Sequence, residues 1–343
     1  MIDASRIEKI IIRLPNWIGD AVMAIPAVNC IKKNFPHINV TCLGKPSVNQ
    51  LYRYNTNVDR LIAFKLPEGK NKLSGIKEFS RGLRHFGFDS GLILPNSFSS
   101  ALVFKLGGIK RRIGYRSELR SFLLTDAVNP PKTLIHRSQR YISLVRHVFG
   151  IDGCDHNISI PVSESEIYNA DIFLKEIKRF AVVCPTSRAP SRRWGGDKYA
   201  ELIRRLINEL DLDIVLAGSK DESQIIERVG EQSGVDFLNL ANENDLLLSI
   251  EVMRRSEVFV GNDSGAAHLA AASGTRVVSI SGADDPRETR PLAAIGKVVN
   301  KEIQCSPCVK NICPREDHVN ECMELISVND VFNEITQILK HEK

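Results

Sequence analysis

Apolar residues in this chain fall into two alternating patterns. Short continuous runs, each bounded by polar or turn residues, alternate with longer stretches in which apolar positions recur every three to four residues. KIIIRL, NVTCLG, RLIAF and SGLILP in the first half read as strands, as do FAVVCP (180–185), DIVLAG (213–218), FLNL (237–240), VFVG (258–261) and RVVSIS (276–281) in the second. Helical periodicity follows Gly19 and Pro46 and covers about 75–86, then about 197–210, 221–233, 245–254 and 265–273. Such alternation predicts an α/β protein with mainly parallel sheets. The second half makes a complete doubly wound unit by itself, and the junction falls near 157–177, where strand character gives way to a charged helix. The expected architecture is two Rossmann-like domains facing across a cleft, with ligands at strand carboxyl ends.

Composition narrows this little. The 343 residues are 43% hydrophobic and 25% charged, enough for about two domains. No apolar run reaches the ~18 residues that suggest a membrane span, and the polar opening MIDASRIEKI does not read as a signal peptide, so a cytoplasmic protein is expected. Eight cysteines in a chain of this length do not suggest a secreted disulfide scaffold.

Charge changes the picture more. Residues 1–150 carry 24 Lys and Arg against 9 Asp and Glu, a balance of +15, whereas the remainder carries 22 against 32, a balance of −10. Halves of opposite sign predict different partners. The basic half suits nucleic acid, an anionic lipid surface or a phosphorylated acceptor, with clusters at KRRIGYRSELR (110–120) and HRSQR (136–140).

The chemistry concentrates in VFVGNDSGAAHLAAASGTRVVSISG (258–282). A strand there runs into Asn262, Asp263, Ser264 and Gly265, and a helix of small residues begins at once. Unpaired N–H groups at a helix start, with the dipole behind them, form an anion site; the plainer reading is a helix capped by Asp263 or Ser264. His268 suits packing as well as chemistry. Near the chain start, LPNWIGDAVM places Asp20 beside a glycine at the end of the first strand. A carboxylate there fits either a general base or a residue that merely complements the helix dipole. Cys305, Cys308, Cys313 and Cys322 follow a C-x2-C-x4-C-x8-C spacing with His318 between, which leaves a structural metal and packed or reactive thiols both open. The one Asp-x-Asp considered, DLD at 211–213, lies in a helix-to-strand turn.

RLPNWIGDAVMAIPAV, RRWGGDKYAELIRRL (192–206), LAGSKDE (216–222), the GNDSG segment and the closing CSPC…CP…H…CM together resemble glycosyltransferase family 9, the ADP-heptose:lipopolysaccharide heptosyltransferases. These motifs span nearly the whole chain in the family's order. The opening looks most like members that add the second heptose of the inner core.

The resemblance implies a GT-B fold, with an acceptor domain over 1–160, a linker over 161–178, a donor domain over 179–326 and a closing helix over 327–343 that packs back toward the first domain. It implies an inverting transfer from ADP-heptose that needs no metal or other cofactor. Asp20 would be the catalytic base. Asp263, Ser264, Gly265, Ala266 and His268 would hold the donor's diphosphate and sugar. Arg192, standing where the family usually has lysine, would neutralise phosphate, with Arg188 and Arg193 competing for that role. Ser219 and Asp221 would meet the adenosine.

The acceptor implied is a Kdo-containing lipid A core already bearing heptose. Asn16, Trp17, Gly19, Arg111, Arg112, Arg116 and Arg120 would hold it, helped by Arg53, Arg60, Arg137 and Arg140. Those cations would also attach the protein peripherally to the anionic inner face of the inner membrane. Competing expectations are a family member adding the first or a later heptose, a nucleotide-sugar epimerase on the same fold, and a nucleic-acid-binding protein. The last is disfavoured because no aromatic RNA-binding platform stands in the basic half.

Overall fold

The computed structural model describes residues 2–65, 71–117, 119–243 and 245–340. They divide into two compact units, Met1–Ile158 and Ser159–Lys343. Each unit is built on a six-stranded sheet whose pairings are all parallel.

In the first unit the strands are β1 (Lys9–Arg13), β2 (Asn39–Gly44), β3 (Arg60–Ala63), β4 (Ser90–Ile93), β5 (Arg111–Tyr115) and β6 (Asp126–Val128), in the order β3-β2-β1-β4-β5-β6. In the second they are β7 (Phe180–Cys184), β8 (Asp213–Leu216), β9 (Leu238–Asn239), β10 (Val258–Asn262), β11 (Val277–Ile280) and β12 (Gly296–Val299), in the order β12-β11-β10-β7-β8-β9. Chain direction across each sheet therefore reverses once, between β1 and β4 and again between β7 and β10. Loops leaving the carboxyl ends of such a strand pair diverge and open a ligand crevice.

β1 and β10 show why the apolar runs were legible: Ile10, Ile11 and Ile12, like Val258, Phe259 and Val260, are fully buried, as central parallel strands covered on both faces must be. Gly261 is required by close packing, since a Cβ there would lie 2.9 Å from the Cys184 carbonyl oxygen on β7.

Two elements depart from expectation. Residues 161–178, expected as a linker bearing a charged helix, belong to the second unit: the helix Glu164–Phe173 packs on the helix Leu246–Arg255 and is tied to it by Arg255 donating to Asp171 at 2.6 Å. The closing helix, Val328–Leu339, was expected to pack back toward the first domain. Its apolar face, with Val331, Phe332, Ile335 and Ile338, instead joins the second unit's core beside Trp194, Val260 and Ile280. Burying that stripe is what holds an amphipathic helix in place.

A further feature was not anticipated. Cys30 and Cys154 form a disulfide that joins the helix Ile18–Asn34 to the chain beyond the helix Arg137–Phe149.

Candidate active site

At the reversal point of the first sheet, β1 leads through Leu14 and Pro15 into the helix Ile18–Asn34. Asp20 is the third residue of that helix, in the turn where a carboxylate complements the positive dipole end. The helix Arg137–Phe149 packs alongside and brings up Arg137, whose Nη1 donates to Asp20 Oδ1 at 2.6 Å. The Asp20 side chain keeps 17% of its surface exposed, so it is braced but open to a reactant. Beneath it, buried Tyr52 donates its hydroxyl to the Ala21 carbonyl at 2.7 Å. Tyr141, also buried, has its hydroxyl pushed well above the ordinary tyrosine range by burial and, to a smaller extent, by the Asp20 charge.

Asn16 and Trp17 lie on the same loop. Asn16 Oδ1 accepts from Arg13 Nη2 at 2.6 Å, while Arg13 Nη1 donates to the carbonyls of Leu14 and Leu43. Burial lowers the Arg13 guanidinium to about 10, the cost of placing a cation under the loop. Trp17 is exposed, with the Lys45 ammonium 5.9 Å from its ring centroid. Gly19 is the second residue of the helix.

The basic cluster expected to hold the acceptor is largely spent inside the fold. Arg120 is fully buried; it donates to the carbonyls of Tyr115 and Pro95 and to Asn96 Oδ1. Burial brings its guanidinium down to about 10. Arg112 donates to the carbonyls of Leu123, Ile109 and Lys110, and Arg111 pairs with Asp126 at 3.1 Å. These contacts correct the expectation for Arg120, whose buried donors satisfy backbone and side-chain oxygens, whereas Arg111 and Arg112 are engaged with oxygens of the β5–β6 region but stay half-exposed. Arg116 alone of the four is exposed.

At the reversal point of the second sheet, β10 ends at Asn262 and the helix Gly265–Ser273 begins shortly after. Asn262 is a clamp that the sequence did not advertise. Its Nδ2 donates to the Pro185 carbonyl at 3.0 Å, and its Oδ1 accepts from the Trp194 N–H at 3.1 Å, fixing the loop after β7 against the helix start. Ser264 caps the helix by position but makes no capping bond; its Oγ is buried beside the Cys184 thiol without a conventional hydrogen-bond partner. Gly265 and Ala266, the first two residues of the helix, are partly exposed, and their N–H groups belong to the first turn, where no intrahelical acceptor exists.

Asp263, expected toward the sugar, is buried and accepts from the Ser281 hydroxyl at 3.4 Å; His268 is buried too.

The loop 185–196 carries the candidate cation. Arg192 Nη2 donates to Asp284 Oδ1 at 2.9 Å and Nε lies 2.6 Å from Oδ2, a two-pronged ion pair with a carboxylate on the loop after β11. Asp284 is a partner of Arg192 that the sequence reading missed; its hint was its place in SGADDPRETRP. Arg193 Nε donates to the Ser187 carbonyl at 2.8 Å, and Arg188 is exposed. Trp194 is fully buried, its Nε1 donating to the Ile326 carbonyl at 2.9 Å, and Gly195 turns the chain at φ 112° before the next helix. On the turn after β8, Ser219 donates its hydroxyl to Glu222 at 2.6 Å in a capping box, and Asp221 is exposed beside it.

Cys305 is exposed, Cys308 and Cys313 half-buried and Cys322 buried. Burial, and after it the neighbouring thiols of Cys308, Cys305 and Cys313, push the Cys322 thiol up. Among the described residues no group of three or more His, Cys, Asp or Glu side chains is arranged to hold a metal ion. Two cavities, of about 480 Å³ along β6 with Asp126 and His147 and of about 440 Å³ beside β12 with Arg287 and Arg290, are lined by other residues than Asp20 and Ser264.

Comparison with known proteins places this geometry in context. Residues 76–318 match the model of glycosyltransferase family 9 (heptosyltransferase). The chain is 29% identical over 306 residues to lipopolysaccharide heptosyltransferase 2 of Salmonella typhimurium, covering 85% of this chain and 87% of that one. The structure of the E. coli ADP-heptose lps heptosyltransferase II superposes with a TM-score of 0.80 at 26% identity, over 96% of this chain and 98% of that one. A glycosyl transferase family 9 structure from Veillonella parvula gives 0.82 at 20% identity over 97% of both chains, a likeness of fold.

Proposed function

The chain belongs to glycosyltransferase family 9 and has its GT-B architecture, and from that premise we propose that it transfers heptose from ADP-heptose onto the heptose already present on the inner core of lipopolysaccharide. The observation that carries the reading is that each sheet presents, at its reversal point, one half of the chemistry required: the Asp20 carboxylate on the first and the Ser264–Ala266 helix start on the second.

The step is an inverting displacement. The acceptor hydroxyl oxygen forms a bond to the anomeric carbon of the donor while its proton passes to the Asp20 carboxylate. The bond between that carbon and the phosphate oxygen breaks, and ADP leaves with the electron pair. Asp20 acts as general base, oriented by the Arg137 guanidinium. The charge that grows on ADP falls to fixed donors: the N–H groups of Gly265 and Ala266, the buried Ser264 hydroxyl and the Arg192 guanidinium. A cradle of this kind accounts for the chemistry without assigning a step to a divalent cation. Arg192 already faces Asp284, so its net contribution to phosphate is that of a partly compensated cation. The exposed turn with Ser219 and Asp221, next to β7 in the sheet, is assigned to the adenosine end.

The acceptor side is assigned to the first unit, with Asn16, Trp17, Gly19 and the exposed Arg116 as its first candidates, the half-exposed Arg111 and Arg112 after them, and the buried Arg120 set aside. Such an acceptor is lipid-linked, so the protein works peripherally at the inner face of the inner membrane; no helix among the described residues is long and apolar enough to cross one. The test is incubation with ADP-heptose and an inner-core acceptor bearing one heptose, read by mass. A product heavier by one heptose, with release of ADP, supports the reading; an acceptor recovered unchanged while the core lacking heptose is elongated contradicts it.

A further inference from the structure

Large apolar side chains seldom stand exposed together on a protein that has nothing to bury them against. In the first unit they do. Leu119 is 75% exposed, Phe122 69% and Phe98 44%. The rings of Phe98 and Phe122 lie 6.2 Å apart, centroid to centroid, so they form one patch although they come from different loops. Phe98 opens the helix that follows β4, and Leu119 and Phe122 lie on the connection between β5 and β6.

The two loops are locked to one another by the buried Arg120. It donates to the Pro95 carbonyl and Asn96 Oδ1 on the first and to the Tyr115 carbonyl on the second. The Ser117 hydroxyl adds a bond to the Asn96 carbonyl at 3.4 Å. A fully buried guanidinium thus ties together the two segments that carry the exposed Phe98, Leu119 and Phe122.

Cations frame the patch. The Lys105 ammonium lies 6.0 Å from the Phe122 ring centroid, and Arg116 is exposed three residues before Leu119. Aromatic rings with lysine and arginine at their rim match an anionic bilayer interface, where rings sit at headgroup depth and cations meet lipid phosphates. A second copy of the chain fits less well, since it would bring this positive rim against another of the same sign.

We propose that Phe98, Leu119 and Phe122 insert into the interface of an anionic phospholipid bilayer, with Lys105 and Arg116 at the headgroups. This rests on the lipid-linked acceptor assigned above and deepens it, because a cationic surface alone would adsorb to the membrane without entering it.

The experiment uses the full chain and vesicles of phosphatidylethanolamine and phosphatidylglycerol that contain no acceptor, with phosphatidylcholine vesicles as the uncharged comparison. Wild type sediments with the anionic vesicles; the combined variant Phe98→Ser, Leu119→Ser, Phe122→Ser does so at least about 10-fold more weakly. A separate Phe122→Trp variant reports on depth: the added indole emission, taken as the difference from wild type, shifts to the blue on anionic vesicles and is quenched by lipids brominated on their acyl chains. Equal sedimentation of wild type and the triple variant overturns the proposal, as does a difference emission that ignores the vesicles. Loss of self-association in the triple variant with vesicle binding intact overturns it in favour of a dimer face. Turnover of a delipidated acceptor separates this inference from the catalytic one: the triple variant retains wild-type turnover, whereas an inactive wild type would defeat the proposed transfer whatever the vesicles show.

Discussion

Asp20 and Arg137, 117 residues apart in sequence, meet through a 2.6 Å hydrogen bond between two packed helices. The contact supports a positioning role for Arg137 under the transfer proposed above, in place of the acceptor binding that its position in a basic cluster suggested. It aims one carboxylate oxygen and leaves the side chain partly open. Arg137→Ala is expected to lower kcat about 10-fold with ADP affinity unchanged, the low end of what a charge-assisted hydrogen bond supports. Arg137→Lys should recover part of the loss. A change in KM for acceptor at constant kcat would instead return Arg137 to acceptor binding.

Arg192 and Asp284 make a second test, of the donor side. Removing the cation in Arg192→Ala should weaken ADP binding about 10-fold. Asp284→Asn removes the countercharge but keeps an acceptor for Arg192, so ADP should bind more tightly, and the gain should shrink with added salt. Calorimetric titration of ADP at two ionic strengths reads both. Weaker binding in Asp284→Asn would mean that the aspartate serves mainly to aim the guanidinium.

Arg120 and Arg116 should separate cleanly in stability. Arg120→Met leaves the Pro95 and Tyr115 carbonyls without their donor and should cost more than about 2 kcal/mol in urea unfolding. Arg116→Met, at an exposed position, should stay within about 0.5 kcal/mol. Equal and small effects would show that the buried guanidinium is dispensable to the β5–β6 region.

The closing helix carries a pH dependence of definite sign. The backbone N–H of Ser327, ahead of the contributions from Lys301 and the Ser327 hydroxyl, holds the Asp330 carboxyl below its ordinary range. A carboxyl lowered on folding stabilises fully above the unfolded value of about 4 and loses that contribution as pH falls through the lowered value. Asp330→Asn should therefore flatten the stability profile below about pH 4 while changing its shape little near neutrality. Unfolding midpoints of both proteins across that range check it.

Much of this architecture could be read from apolar runs, and the exceptions have physical causes. β1, β4, β7 and β10 are central and buried on both faces, so their sequences are almost continuously apolar. β5 begins with Arg111 and Arg112, which point their charge at Asp126 and at loop carbonyls, and the charge concealed the strand. β6 (DAV) and β12 (GKVV) are partly exposed edge strands with no more than two consecutive apolar residues inside their bounds, so no apolar run marked them.

For the site, motif and strand end were enough to single out Asp20 and the Ser264 turn as candidates, and the structure places each at the reversal point of its sheet. Which guanidiniums face outward was not legible, because composition counts charges without saying where each one is neutralised. Asp284 and Asn262 were missed for a related reason: a carboxylate or amide that acts by holding another residue leaves no local pattern. The closing helix was misplaced because its apolar stripe shows that it packs, and only the coordinates show against what.

The account turns on Asp20 as the proton acceptor. Its most direct measurement pairs turnover with donor binding in Asp20→Asn, which keeps the side chain's shape and its bond to Arg137 within reach but removes the base. The account predicts ADP affinity equal to wild type and kcat reduced by at least about 100-fold. Wild-type turnover in Asp20→Asn would contradict it and require another base.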